Sequence, residues 1–217
     1  MSTRFKVING SQSGKPGGVR QERARKRRQM LSAVVMELVK ERGFDAISVN
    51  EVAERASLSV GGLYRHIETK NDLLEIICDE INLDLLADMK AAAAKERGAT
   101  GKLEAAVRTY WNRHWDSYAA VRVAYREYQS LSAEAKARYR AEEQSVAEFL
   151  SDVIRAGMIV EEFREVDDRL LANEIIFLSH MRALKGYVFK GRERETILTE
   201  LIEFVFSRLR IPHSHSD

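Results

Sequence analysis

The chain has 217 residues, of which 45% are hydrophobic and 31% charged, which excludes an intrinsically disordered protein and suits one large domain or two small ones. No apolar stretch reaches the roughly 18 to 20 residues of a membrane helix, so we expect no membrane partner. The net charge of +2 is unevenly distributed: residues 1–70 carry 14 Lys and Arg against 7 Asp and Glu, whereas residues 71–217 carry 21 against 26. We therefore expect only the first region to bind a polyanion.

Proline is confined to the two ends of the chain, as Pro16 and Pro212. Because proline breaks helices, and because the intervening sequence is rich in Ala, Leu, Glu, Arg and Lys, we predict an all-α protein. Residues 1–19 show little periodicity and are predicted to be a disordered basic tail. This tail lacks the apolar core of a signal peptide, so we expect a cytoplasmic protein.

The first predicted helix runs from Arg20 to Arg42 and stops at Gly43. Its apolar stripe consists of Met30, Leu31, Val34, Val35, Leu38 and Val39. Its beginning holds six cations in nine residues, namely Arg20, Arg23, Arg25, Lys26, Arg27 and Arg28. One interpretation is a solvated helix face, and the other is a basic arm that rests on DNA phosphates or enters the minor groove.

Two short helices follow. Ser48 predicts the start of the second helix, since Glu51 follows it at the spacing of a capping box. The run Ser57–Ser59 predicts a tight turn with Ser59 as the next N-cap, and a third helix is predicted over Val60–Ile67. Two short helices around a three-residue turn are typical of a helix-turn-helix, although an αα-corner in any helical protein gives the same spacing.

A long fourth helix is predicted from Lys70 to about Lys95, capped by Thr69. Its apolar stripe consists of Leu73, Leu74, Ile77, Ile81, Leu85 and Met89. Cys78, the single cysteine, lies on the apolar side of this helix and is interpreted as structural. One cysteine excludes an internal disulfide and a cysteine-rich zinc site, and we predict neither a metal nor a cofactor.

The rest of the chain is also predicted to be helical. After a break at Gly98–Gly101, the expected elements are one or two helices over 102–130, a helix over Ser132–Gly157, one from Asp167 or Asp168 to about Lys190, and a last one over Glu193–Arg210. The last two are apolar around most of their circumference, which indicates burial on several sides. In a chain of this size a second subunit most readily supplies that cover, so we predict a homodimer formed through residues 167–210.

Aromatic residues are concentrated between residues 110 and 130. Core packing explains them without a ligand, whereas a partly apolar cavity with polar groups is the usual construction of a small-molecule site. The candidate ligand-binding residues are Trp111, His114, Trp115, Tyr118, Tyr125, Phe149, Phe177, His180 and Met181. The two histidines are candidates for hydrogen bonds to a ligand, although a satisfied core histidine is the commoner arrangement.

The segment Phe44–Leu74 resembles the DNA-binding domain of the tetracycline-repressor (TetR) family of bacterial transcription regulators. The resemblance rests on the Ser48 cap, the Val52–Ala53 pair, the run Ser59–Tyr64 and Lys70, and it is close over about residues 25–75. It implies that helix 60–66 is the recognition helix and that Tyr64 and Lys70 contact phosphates. Many members carry a larger polar residue where this chain has Gly61 and Gly62, which weakens direct readout from those two positions.

The candidate DNA-binding residues combine this resemblance with the basic start of the first helix. They are Arg27, Arg28, Ser48, Asn50, Ser59, Val60, Gly61, Gly62, Tyr64, Arg65, His66 and Lys70. Arg65 suits a bidentate contact to guanine, which is the commonest specific base contact. The paired glycines let the backbone approach the groove, or they merely ease the tight turn.

These features predict a ligand-responsive repressor that binds a palindromic operator in double-stranded DNA as a homodimer. Its expected parts are the tail (1–19), a helix-turn-helix domain (20–68) and a ligand-sensing and dimerisation domain (69–217), with helix 70–95 as the lever between the last two. A loose likeness of segment 163–192 to family members that control acyl-CoA catabolism suggests a small hydrophobic or acyl-CoA effector. The alternative is a ligand-independent helical DNA-binding or adaptor protein.

No phosphate-binding loop, HExxH or GxSxG motif is present, so we predict no enzymatic activity.

Overall fold

The computed structural model describes residues 18–63, 67 and 69–211, and this part of the chain is helical without any strand. Its helices are α1 (Gly18–Arg42), α2 (Val49–Arg55), α3 (Val60–Leu63), α4 (Lys70–Asn82), α5 (Leu85–Ala93), α6 (Gly98–Asp116), α7 (Tyr118–Glu127), α8 (Ala133–Ile159), α9 (Asp168–Ser179), α10 (Met181–Lys185) and α11 (Arg194–Leu209). Short 3-10 turns span Phe44–Ala46, Tyr128–Ser130 and Gly186–Phe189. The predicted all-α fold is confirmed, and none of the described helices is long and apolar enough to cross a membrane.

The predicted tail, residues 1–19, lies outside the described residues except for Gly18 and Val19, which already belong to α1. The predicted stripe of α1 packs into the core through Leu31, Val35, Leu38 and Val39, whereas Met30 is exposed. Of the six cations of residues 20–28, Lys26 and Arg27 have described side chains, and both are exposed.

Side-chain caps set the starts of four helices; those at Ser48, Thr69 and Asp167 were predicted, and the one at Ser132 was not. Oγ of Ser48 accepts a hydrogen bond from the amide of Glu51 (3.2 Å), and Ser132 and Asp167 cap α8 and α9 in the same way. Thr69 forms a complete capping box with Asp72, with distances of 3.3 and 2.8 Å. The cap at Ser48 is one-sided, because the carboxylate of Glu51 pairs with Arg42.

The predicted single helix from Lys70 to about Lys95 is wrong, since α4 and α5 are separate helices. The chain turns at Leu83–Asp84, where Asp84 adopts a left-handed conformation with φ of +58°. The carbonyl of Leu83 accepts a hydrogen bond from Nη1 of Arg113 at 3.1 Å. A partner 30 positions away therefore supports a break that no local glycine or proline signals.

Two further predicted boundaries are wrong. The chain does not break over Gly98–Gly101, because Gly98 (φ +70°) is the first residue of α6 and Gly101 lies inside that helix. The helix predicted to reach Lys190 stops at Ser179 and continues as the short helix α10 after His180. Both ring nitrogens of His180 are held by tyrosine hydroxyls from other helices, so tertiary contacts accompany this break.

Two hydrophobic cores lie along the described chain. The first joins α1–α4 with α7 and includes Val35, Leu38, Val52, Ala53, Leu63, Ile67, Leu73, Ile77 and Ala120. The second joins α5, α6, α8, α9 and α11, and includes Met89, Leu103, Trp111, Leu150, Ile175 and Leu198. Because α4 and α7 belong to the first core, the helix-turn-helix packs directly on the second half of the chain. The domain boundary expected at residues 68–69 stays a prediction.

Gly157 on α8 is closely packed in the second core. A Cβ there would lie 2.1 Å from Cδ2 of Phe163 and 2.8 Å from Cβ of Ala99. We expect Gly157→Ala to lower the free energy of unfolding by about 1–3 kcal/mol through overpacking. Gly186→Ala is the matched control, since its Cβ would meet nothing within 4 Å and should change stability by less than about 1 kcal/mol. Urea denaturation measures both, and equal losses would contradict this packing.

Candidate functional site

α2 and α3 form a helix-turn-helix on top of α1. The amide of Leu58 closes the turn by donating to the carbonyl of Ala53 at 2.9 Å, and Ser57 in the turn is left-handed with φ of +53°. Ala53 and Leu63 are fully buried, so the small residue permits close packing and the leucine anchors α3 from inside. Gly61 on α3 is exposed.

The structure places most of the described DNA-binding candidates at the surface. Arg27, Ser48, Asn50, Ser59 and Gly61 are exposed, and Lys70 is partly exposed. Tyr64, Arg65 and His66 lie outside the described residues, as do the side chains of Arg28 and Val60 and the surroundings of Gly62.

Gly61 has no role in the packing of the described residues. A Cβ at this position would meet nothing within 4 Å, and its φ is not in the left-handed region. Neither the backbone conformation nor the described neighbours of Gly61 therefore require glycine here.

Lys70 contacts the turn that precedes α2. Its Nζ donates to the carbonyl of Asp45 at 2.6 Å and lies 5.1 Å from the centre of the Phe44 ring. The carboxylate of Asp45 in turn accepts a hydrogen bond from Arg126 of α7 at 3.0 Å. An ammonium group has three donors, and the bond to Asp45 uses one of them within the described part of the chain. The sequence analysis missed Asp45 and Arg126, which are 81 positions apart and share no local signal.

The predicted effector residues on α6 and α7 pack against one another. The rings of Trp111 and Trp115 stack with their centres 4.5 Å apart. The guanidinium of Arg182 lies between Trp115 and Tyr118, at 4.4 and 4.1 Å from their ring centres. Phe189 meets the edge of Trp115 at 5.7 Å. We call these five side chains the aromatic stack.

A buried polar network adjoins the aromatic stack. Nε2 and Nδ1 of His180 lie 2.8 and 2.9 Å from the hydroxyls of Tyr110 and Tyr125. Nδ1 of His114 donates to the carbonyl of Tyr110 at 2.9 Å, and the two imidazole rings are 4.4 Å apart. Burial lowers the pKa of His114 to about 4 and that of His180 to about 3. Both rings are therefore neutral at neutral pH. The sequence analysis missed Tyr110.

The remaining effector candidates lie apart from this network. Phe149 is partly buried beneath Nζ of Lys90, which is 5.8 Å from its ring centre, and Met181 is partly buried. Phe177 is 57% exposed on α9, so it lies at the surface of the single chain. Two surface grooves, of about 570 and 300 Å³, are lined by other residues.

Exposed apolar residues are concentrated on the last helices of the chain. We call them the apolar face, and they are Leu170, Phe177, Leu184, Tyr187, Val188 and Phe204, each at least 40% exposed. The opposite sides of α9 and α11 are buried in the second core, for example at Ile175 and Leu198. Such a concentration of exposed apolar residues is typical of a protein–protein interface.

Comparison with protein families finds two matching models. The model described as bacterial regulatory proteins, tetR family, matches residues 33–77, and the model described as tetracyclin repressor-like, C-terminal domain, matches residues 96–185. Together they match more than half of the chain. The first match spans the helix-turn-helix, which decides against an αα-corner of an unrelated helical protein.

Individual relatives are similar over most of the chain. The HTH-type transcriptional repressor KstR2 of Rhodococcus jostii (strain RHA1) is 26% identical over 190 residues, which cover 87% of this chain and 93% of that protein. A regulatory protein in the tetR family from Rhodococcus RHA1 has a TM-score of 0.74 and 25% identity, covering 86% of this chain and 98% of its own. AibR, solved in complex with isovaleryl coenzyme A and operator DNA, has a TM-score of 0.67 and 21% identity, covering 84% and 99%.

Proposed function

This chain belongs to the TetR family of bacterial transcription regulators, and we propose that it is a repressor that binds a near-palindromic operator as a homodimer and leaves it when a small hydrophobic effector binds. Regulators of this family are DNA-binding transcription factors, so the chain is not an enzyme. The observation that carries the proposal is the capped α2 and the anchored α3 within the region that the family model matches.

The DNA contacts are assigned by position. Arg65 would read a guanine in the major groove, while Tyr64 and Lys70 would hold phosphates. The open space around Gly61 supports a close approach of the α3 backbone to the base pairs, since packing within the protein does not require glycine there. Arg27 is exposed in the basic part of α1 and would add a phosphate contact next to the motif.

The homodimer would form through residues 167–210. The apolar face lies within this range and is exposed in the single chain. A second copy would bury the apolar face and would relate the two recognition helices by a two-fold axis, which is the arrangement that reads a palindrome.

The effector would bind at the aromatic stack and the polar network beside it. A relative of the same fold, AibR, was solved with isovaleryl coenzyme A and operator DNA, which supports an acyl-CoA as one candidate. Because these side chains pack against one another, binding has to open them. On α7, Tyr125 is hydrogen-bonded to His180, and the next residue, Arg126, is hydrogen-bonded to Asp45. Helix α7 therefore connects the effector region to the turn before α2. This link takes the place of the lever expected in helix 70–95, which is broken at Asp84.

The alternative is a DNA-binding protein that responds to no ligand. The packing of the aromatic stack and its histidine network favours it, since every ring there already has a protein partner. A thermal-shift screen of metabolites separates the two functions: a ligand that raises the melting temperature and releases the operator supports the repressor, whereas a screen without such a compound supports the alternative.

Substitutions in the motif test the DNA-binding assignment. On an operator recovered by genome-wide binding, Arg65→Ala should cost about 1–3 kcal/mol and relax preference at one base pair. Tyr64→Phe and Lys70→Ala should weaken binding to all sequences alike, because phosphate contacts carry no sequence information.

The control for the loss of one positive charge is Arg140→Ala, an exposed position on α8, which should bind as the unmodified protein does. Fluorescence anisotropy on operator and on random DNA measures all four variants. Equal losses on both DNAs for Arg65→Ala would show a backbone contact only, and failure to recover any bound sequence would contradict the proposal itself.

A further inference from the structure

Arg182 on α10 is a partly buried arginine without a carboxylate partner among the described residues. Its guanidinium carbon lies 4.4 Å from the ring centre of Trp115 and 4.1 Å from the ring centre of Tyr118. Its Nη1 donates to the carbonyl of Trp115 at 2.7 Å. Within the described chain no Asp or Glu forms an ion pair with it. The aromatic rings and the carbonyl therefore fix the cation in place without neutralising its charge.

The other partly buried arginines in the described second half of the chain all have acidic partners. Arg108 pairs with Glu104 and Glu195, Arg113 with Asp88, Arg138 with Glu75 and Asp79, and Arg208 with Glu174. Removing a guanidinium from water without a counter-ion costs solvation free energy. Arg182 thus differs from its counterparts in carrying an unneutralised charge at a site built from aromatic rings.

The sequence around Arg182 is locally basic. Residues 181–194 contain five Lys and Arg and one Glu, although residues 71–217 carry more Asp and Glu than Lys and Arg. Arg192 and Arg194 are neutralised by Glu200 and Asp116. Lys185 and Lys190 are exposed and add to the positive potential. The nearby histidines are neutral, because burial keeps their pKa values low.

We propose that Arg182 binds the anionic group of a small organic ligand, a carboxylate or a phosphoryl group, whose apolar part packs on Trp115 and Phe189. Within the described chain the Trp115 carbonyl uses one of the five guanidinium N–H donors, and the other donors suit the two oxygens of either anion. The inference rests on the effector-controlled function proposed above, since it names the chemical class of the effector at the same site.

The two tryptophans of the chain, Trp111 and Trp115, both belong to the aromatic stack, so selectively excited tryptophan fluorescence reports on this site. The purified protein is titrated with octanoate, octyl phosphate, octanamide and octylamine, which share the alkyl chain and differ in charge. We expect a saturable change with octanoate or octyl phosphate, and at least about tenfold weaker binding of octanamide and octylamine. Saturation by one anion and not by the other identifies the group as carboxylate or phosphoryl.

Variants assign the charge to Arg182. Arg182→Gln should weaken the affinity for the bound anion at least about tenfold. Arg182→Lys should retain part of that affinity, because it keeps the charge but loses the planar fork. Arg140→Gln, at an exposed position on α8, should leave the affinity unchanged. Circular dichroism checks that each variant is folded. The comparison of octanoate with octanamide uses the unmodified protein, so it tests whether binding requires a negative charge even if Arg182→Gln fails to fold.

Three results would overturn the inference: no saturation by either anion up to about 10 mM, equal binding of the amide or the amine, or unchanged anion binding in folded Arg182→Gln. The titration contains no DNA, so its outcome is separate from that of the repressor proposal. Anion binding through Arg182 without any operator would refute the repressor alone, and operator binding without anion binding would refute the anion site alone.

Discussion

Operator affinity should fall about 10³- to 10⁵-fold when the salt concentration rises from about 50 to 200 mM, if the dimer neutralises roughly six to ten phosphates. The expectation follows from the basic first region, in which residues 1–70 carry 14 Lys and Arg against 7 Asp and Glu. Neutralised phosphates release condensed counter-ions, and the free energy of that release declines as bulk salt increases.

Fluorescence anisotropy at a series of salt concentrations gives the slope, with random DNA of the same length as the control. Two recognition helices on a two-fold axis should protect half-sites about 34 to 36 Å apart, which footprinting measures. Binding that is insensitive to salt, or that is strongest on a single asymmetric half-site, would be incompatible with the proposed dimer.

A charge placed on the apolar face should separate the subunits. Phe177 and Phe204 are 57% and 50% exposed in the single chain, so in a monomer Phe177→Asp or Phe204→Asp would change stability by no more than about 0.5 kcal/mol. In the proposed dimer each variant buries an unpaired carboxylate, which costs several kcal/mol. We therefore expect both variants to sediment as folded monomers and to lose operator binding.

Ile159→Asp is the control, because Ile159 is 76% exposed at the end of α8 and lies outside residues 167–210. Analytical ultracentrifugation should find this variant dimeric. If Phe177→Asp and Phe204→Asp both remain folded dimers, the apolar face is not the interface.

Some features of the candidate site depend on residues that are close in sequence, and others depend on contacts between distant helices. The Ser48 cap, the turn at Ser57 and the buried Leu63 were predictable, because each depends on neighbours within a few positions. Cys78 was interpreted as structural, and it is buried with its thiol pKa raised to about 12 by that burial. The placement of Arg182 between two aromatic rings was not predictable, since Trp115 and Tyr118 belong to other helices.

The sequence by itself determined the all-α class, the helix-turn-helix and the start of each capped helix. Periodicity, capping and the absence of internal proline act over one or two helical turns, and no distant partner overrides them at Ser48, Thr69, Ser132 or Asp167. Only the tertiary structure decided where the long helices break. Arg113 bonds the carbonyl freed at Leu83, and Tyr110 and Tyr125 hold His180 from 70 and 55 positions away. Such partners are brought together by packing alone, so their contacts leave no pattern in the local sequence.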